Sequence, residues 1–169
     1  DPVAARRRFE AAARFGPAQA AADLAARAPK LTDDLALSKL AADTAFALGR
    51  TEDACAITKT VSATSTADLY WLQARAVCYL VAKEPSAADL SADLALNQGL
   101  SDPWFFAAIG KATGSSVAKP PQARYDSGLA IELSSQAGLL ATKEVLAALS
   151  PAAASALIGR ADSAPAFRA

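Results

Sequence analysis

Apolar positions recur along this chain at i, i+3, i+4 and i+7, the spacing of one helix face, and helix-breaking residues punctuate them. The clearest stretch is 67–99, where Leu69, Leu72, Ala76 and Leu80 form one stripe. Trp71, Val77, Cys78 and Val81 add apolar groups off that stripe. A helix apolar over most of its circumference is covered on several sides, so the spacing predicts a central helix. Lys83, Glu84 and Pro85 end it. Ser86 is expected to cap a second helix with Ala87, Leu90 and Leu94 on one face, and Gly99 to stop it.

The same pattern fills the upstream half. Asp1-Pro2 reads as an N-cap with proline at the first helical position. Arg6, Arg7 and Arg8 follow, with Phe9 and Phe15 as apolar points. Three arginines near a helix start oppose the macrodipole, so the helix is expected to begin further upstream. The run reads as a solvated helix start or as a contact for an acidic partner or lipid headgroup. Gly16-Pro17 breaks this helix, and a second carries Ala21, Leu24, Ala25 and Ala28 to Pro29. Thr32 or Asp33 is expected to cap a third, with Leu37, Leu40, Ala41, Thr44 and Leu48 inward and Gly49 as its stop. Thr51 is expected to cap a fourth, with Ala54, Ile57 and Val61 inward, before the polar loop 62–66.

Beyond Gly99, Asp102-Pro103 opens a short helix holding Trp104, Phe105, Phe106 and Ile109, the densest aromatic cluster, which reads as the plug of a core or as an exposed docking patch, with the core expected. The stretch 115–124 is polar and rich in helix breakers. Short helices follow, marked by Leu129, Ile131 and Leu133, then Val145, Leu146 and Leu149, then Leu157 and Ile158. Each is too short to be stable alone, so they are expected to fold back onto the preceding helices. The expected organisation is therefore an array over 1–114 (units 1–29, 33–62 and 67–99, plus a helix 102–112), a linker over 115–124 and packed short helices over 125–169.

Composition narrows the picture. Hydrophobic residues make up 53% of the chain and no run alternates with a strand's period, so the fold class is all-α. Lys plus Arg and Asp plus Glu are 17 each, which argues against a nucleic-acid partner, since that needs a basic surface. No apolar run reaches the roughly 18 residues of a membrane-spanning helix. There is no signal peptide and no initiator Met, and a mature or trimmed segment is the expectation.

Gly16, Gly49 and Ala82 stand 33 apart, as do Ala21, Ala54 and Ala87, and Leu24, Ile57 and Leu90. Phe15, Leu48 and Val81 precede the turn in each copy. A small residue at the turn and an alanine five positions later, at a period of about 34 residues, resembles the tetratricopeptide repeat, with Trp71 near the start of a first helix. The resemblance implies antiparallel helical hairpins stacked as a short right-handed array, capped by short C-terminal helices. A looser resemblance covers about the last 100 residues. W-L-x-A-R-A-x-C-Y from Trp71, D-P-W-F-F from Asp102, G-L-A-I-E-L and L-S-P-A-A-A-S-A-L are similar to Ala/Leu-rich envelope proteins of alphaproteobacteria. It implies an exported helical protein and brings no catalytic residue.

Chemistry is sparse. Histidine is absent, which removes the usual general base and metal ligand. No phosphate loop or nucleophile elbow is present, so neither an enzyme, a cofactor nor a metal is expected. Asp89 and Asp93 share a helix face and read as solvated surface. Cys55 and Cys78 form the one informative pair. Counted from the loop they are about five residues out of level, roughly 7–8 Å along a helix axis, which is awkward for a disulfide unless the helices are staggered; since the two helices are neighbours, a bridge is the expectation. A bridge would place the chain in an oxidising compartment such as a periplasm; two buried thiols would allow the cytoplasm.

The functional expectation is a non-catalytic interaction or scaffold module in a bacterial envelope assembly, with a protein or peptide partner on the first helices of the hairpins. Lys39, Asp43, Tyr70, Gln73 and Arg75 are the candidate contacts, on fold-level analogy. The alternatives are an accessory helical domain of a peptidoglycan-acting enzyme and a structural subunit of an oligomer.

Overall fold

A computed structural model describes residues 2–15, 18–27, 34–63, 68–115 and 119–160. The fold is all-helical, with ten helices and no strand among the described residues. They are α1 (Pro2–Phe15), α2 (Ala18–Arg27), α3 (Leu35–Ala47), α4 (Thr51–Ser62) and α5 (Leu69–Val81). Then come α6 (Pro85–Asn97), α7 (Pro103–Thr113), α8 (Gly128–Gln136), α9 (Lys143–Ala147) and α10 (Pro151–Gly159).

Three aspartates set the helix starts. Asp34 accepts from the Ala36 and Leu37 amides, Asp68 from Tyr70 and Asp102 from Phe105. Each satisfies amides the first turn would otherwise leave without a partner. The three stand 34 residues apart (68−34 and 102−68), so α3, α5 and α7 begin in strict register. The second helices obey the same interval, α4 starting at 51 and α6 at 85. Both turns use one backbone device. Gly49 (φ 71°) and Lys83 (φ 63°) adopt the left-handed conformation, and the next amides, Arg50 and Glu84, return to the Ala45 and Tyr79 carbonyls. A left-handed residue with a Cβ is strained, so Lys83 does at some expense what Gly49 does freely.

These helix starts correct several expectations. The expected interval of 33 holds from α1 to α3 and from α2 to α4, becomes 34 from there on, and α7 begins in register where the pattern was expected to fail. Asp34 caps α3; Thr32 and Asp33 lie outside the described residues. Arg50 is the N-cap of α4, and Thr51 is its first residue. Glu84 precedes α6 with no side-chain cap, because Pro85, fixed in φ and lacking an amide hydrogen, starts the helix ahead of Ser86.

Consecutive helices from α3 to α7 pack side by side. α5 is central: α4, α6, α7 and α8 all lie against it, and Trp71, Ala74, Ala76 and Val77 are fully enclosed. Alanines line many contacts, including Ala42, Ala54, Ala88 and Ala108 at 0% exposure, and let the helix backbones approach closely. Phe105 is buried in the main core, with Trp104 and Phe106 packed against it.

Cys55 of α4 and Cys78 of α5 lie at disulfide distance, with Cα atoms 5.5 Å apart. The expected five-residue offset is absent because α5 starts later than the loop was drawn. Cys55 is seven residues from the end of α4 (62−55) and Cys78 nine from the start of α5 (78−69). The remaining two-residue difference is about 3 Å along a helix.

After α7 the chain does not continue the array. Residues 119–127 run without helix, yet they are packed: Ala123 is buried and its amide donates to the Leu140 carbonyl. α8 then crosses to the opposite side of the first helices, against α3, α5 and α7, while α10 packs on α1, α2 and α3.

Candidate functional site

The first helices and α8 do not close completely. A cavity of about 440 Å³ remains between them, lined by Ala36, Lys39, Leu40 and Asp43 of α3, Tyr70 and Gln73 of α5, and Trp104 and Phe105 of α7. Glu10 of α1, Arg124 and Ser127 ahead of α8, and Leu129, Ala130 and Leu133 of α8 complete the wall. Ala36, Tyr70 and Trp104 are the second residues of three successive in-register helices. Lys39 and Gln73 are likewise 34 apart (73−39). The cavity is thus one face of the array, repeated along its length and roofed by α8.

α8 is held there by α3. The Asp43 carboxylate accepts from the amides of Gly128 at 2.8 Å and Leu129 at 3.0 Å, an N-terminal cap supplied from 85 residues away. Ser127 adds a local cap, accepting from the Ala130 amide. Gly128 is required by closeness: a Cβ there would collide with the Asp43 carbonyl. Further along, Glu132 and Arg160 form a fully buried ion pair at 2.8 Å, and Arg160 also donates to the Phe46 carbonyl at 2.7 Å. This joins α8, the end of α10 and the end of α3 through charge-assisted hydrogen bonds.

Cation and aromatic groups alternate around the cavity. The Lys39 ammonium lies 4.7 Å from the Tyr70 ring centre, and the Arg124 guanidinium 4.1 Å from that of Trp104. Arg124 is further held by Asp102 at 3.0 Å and Asp126 at 3.2 Å. The Trp104 indole donates to the Gln122 carbonyl at 2.8 Å. Glu10 is paired with Arg6 at 2.9 Å. Burial raises the Asp43 carboxyl above its ordinary pKa, against the two amides that favour its charged form. Burial also raises Tyr70 well above its ordinary value, with Asp43 and Asp68 adding to the shift. Tyr70 is therefore a neutral phenol at physiological pH.

Of the residues singled out in the sequence, Lys39, Asp43, Tyr70 and Gln73 come together here. Asp43 is consumed by capping α8 and offers nothing to a ligand. Arg75 lies elsewhere: its Nε donates to the buried Ser91 hydroxyl of α6. Trp104 was singled out only within the aromatic cluster, and Arg124 and the α8 residues escaped the sequence reading as site residues. The Asp34–Asp68–Asp102 spacing would have aligned Trp104 with Tyr70; nothing local could have put α8 on this face. Among the described residues no cluster of three or more metal-ligating side chains is present, and no helix is long and apolar enough to cross a membrane.

Against known proteins, no family model, no curated protein and no solved structure matches the chain.

Proposed function

We infer that the chain is a non-catalytic interaction module that receives a segment of a partner protein in the cavity between the first helices and α8. The observation carrying this reading is the repetition of cavity-facing positions, Ala36–Tyr70–Trp104 and Lys39–Gln73, along three in-register helices. A face built by repetition suits an extended peptide, whose own groups repeat. Tyr70, Trp104, Leu40 and Leu129 supply apolar contact, and Lys39 and Gln73 supply polar orientation. An exported, envelope-side assembly is the setting favoured by the Cys55–Cys78 pair.

A random-peptide display selection on the purified chain tests the reading, with Gln73→Trp as a filled-cavity control. Peptides enriched on the native chain and lost on Gln73→Trp support it. Equal enrichment on both, or none on the native chain, refutes it. Counting free thiols in the denatured, unreduced protein tests the compartment: none is expected, and two would return the chain to a reducing environment.

A further inference from the structure

Two stretches of the sequence carry opposite charge. Residues 1–30 hold Arg6, Arg7, Arg8, Arg14, Arg27 and Lys30 against Asp1, Glu10 and Asp23, six minus three, or +3. Residues 84–98 hold Glu84, Asp89 and Asp93 and no base, or −3. The chain as a whole is neutral, so this is a separation of charge and not an excess.

The two regions also expose apolar side chains. On α6 the buried positions are Ala88, Ser91, Ala92 and Ala95. The opposite face presents Leu90, 62% exposed, and Leu94, 40% exposed, one helical turn apart. Asp89 and Asp93 run beside them at the same spacing. Like charges at that spacing repel, and no base on α6 relieves them. On α1, Val3 is 57% exposed and shares a row with Arg7 and Ala11, all on the solvent side, with Arg8 alongside. Arg6 is engaged by Glu10 and Asp34, whereas no ion pair involves Arg7 or Arg8 among the described residues. α1 packs on α2, α3 and α10, and α6 on α5 and α7. The two faces therefore lie on helices with no packing neighbour in common within one chain.

We propose that the chain associates head to tail, the Val3–Arg7–Arg8 face of α1 in one copy docking on the Leu90–Leu94 and Asp89–Asp93 face of α6 in the next. The arginine stems cover the leucines while their guanidinium groups reach the aspartates. Such a contact joins unlike surfaces, so it propagates into open chains and does not close as a two-fold dimer. It leaves the cavity untouched and stands or falls apart from the peptide-binding reading.

The test is light scattering on the native chain and two charge-reversed variants, Arg7→Glu/Arg8→Glu and Asp89→Lys/Asp93→Lys, each checked for an unchanged helical circular dichroism spectrum. The native chain is expected to gain mass with concentration and lose it with added salt. Each variant alone is expected to stay monomeric. Mixed in equal amounts, they should associate again, since the acidic faces of one variant meet the basic faces of the other at every junction. Gln73→Trp should associate like the native chain. A native chain monomeric at every concentration overturns the proposal. So does association that survives both reversals, or a mixture that stays monomeric, either of which would point to another surface or a foreign basic helix.

Discussion

Adding one methyl group at Gly128 should destabilise this protein, although helix propensity alone predicts the reverse. Glycine is about 1 kcal/mol worse than alanine inside a helix, and Gly128 is the first residue of α8. A Cβ built there, however, falls on the Asp43 carbonyl and close to the Ala47 amide nitrogen. Both are backbone atoms of α3 and cannot rotate aside. α8 would have to withdraw, lengthening the bonds of 2.8 and 3.0 Å that the Gly128 and Leu129 amides give Asp43. Overpacking of a tight contact costs about 1–3 kcal/mol. Weakening two charge-assisted bonds to a buried carboxylate adds about 1–2 kcal/mol. The net expectation for Gly128→Ala is a loss of about 3 kcal/mol, read from urea unfolding followed by circular dichroism, with an unchanged m-value. A double-mutant cycle with Asp43→Ala should show strong coupling, because both changes break the same contact. A Gly128→Ala protein as stable as the native one, or more so, would refute the close seating of α8 on α3.

Three further expectations follow from other contacts. Glu132→Ala removes the carboxylate balancing a buried guanidinium and should cost about 3–5 kcal/mol in chemical denaturation, with Glu132→Gln, which keeps an acceptor but not the charge, also clearly destabilised; a Gln variant as stable as the native chain would discount the charge. Reducing Cys55–Cys78, 23 residues apart in sequence, should lower stability by about 3 kcal/mol on the loop-closure account, and an unchanged denaturation midpoint with reductant would contradict the bridge. Asp43 has a raised pKa in the fold, so folding favours its protonated form; its contribution is fully present below pH 3.8 and is lost as pH rises through the raised value. The stability of the native chain relative to Asp43→Asn should therefore fall from acid toward neutral pH, and a rise would reverse the sign assigned to burial at this site.

The helical class and most helix positions were legible because the apolar spacing is local. α5 was readable as central because Trp71, Val77 and Cys78 break its single stripe. The register was readable too, in Asp34, Asp68 and Asp102, but alanine obscured it. With small residues so common, Gly49 and Ala82 also line up, one residue short of the interval the caps enforce between α3 and α5. Turn chemistry gave another miss: Lys83 takes the left-handed position that Gly49 takes, and no propensity marks lysine for it. The site was half legible. Tyr70, Lys39 and Gln73 follow from their place on first helices. The α8 roof does not, because it depends on Asp43 meeting Gly128 and on Glu132 meeting Arg160. In the sequence Asp43, Glu132 and Arg160 are ordinary charged residues, and only the fold shows that they are buried.

The seating of α8 across α3 and α5 defines the cavity, and amide hydrogen exchange tests it directly. The Gly128 and Leu129 amides sit in the first turn of α8 and have no acceptor within that helix; Asp43 is their acceptor in the structure. In the native chain both amides should be strongly protected, and in Asp43→Ala both should exchange far faster while the α5 amides stay slow. Native-chain exchange of Gly128 and Leu129 at the rate of an unstructured segment would contradict the account.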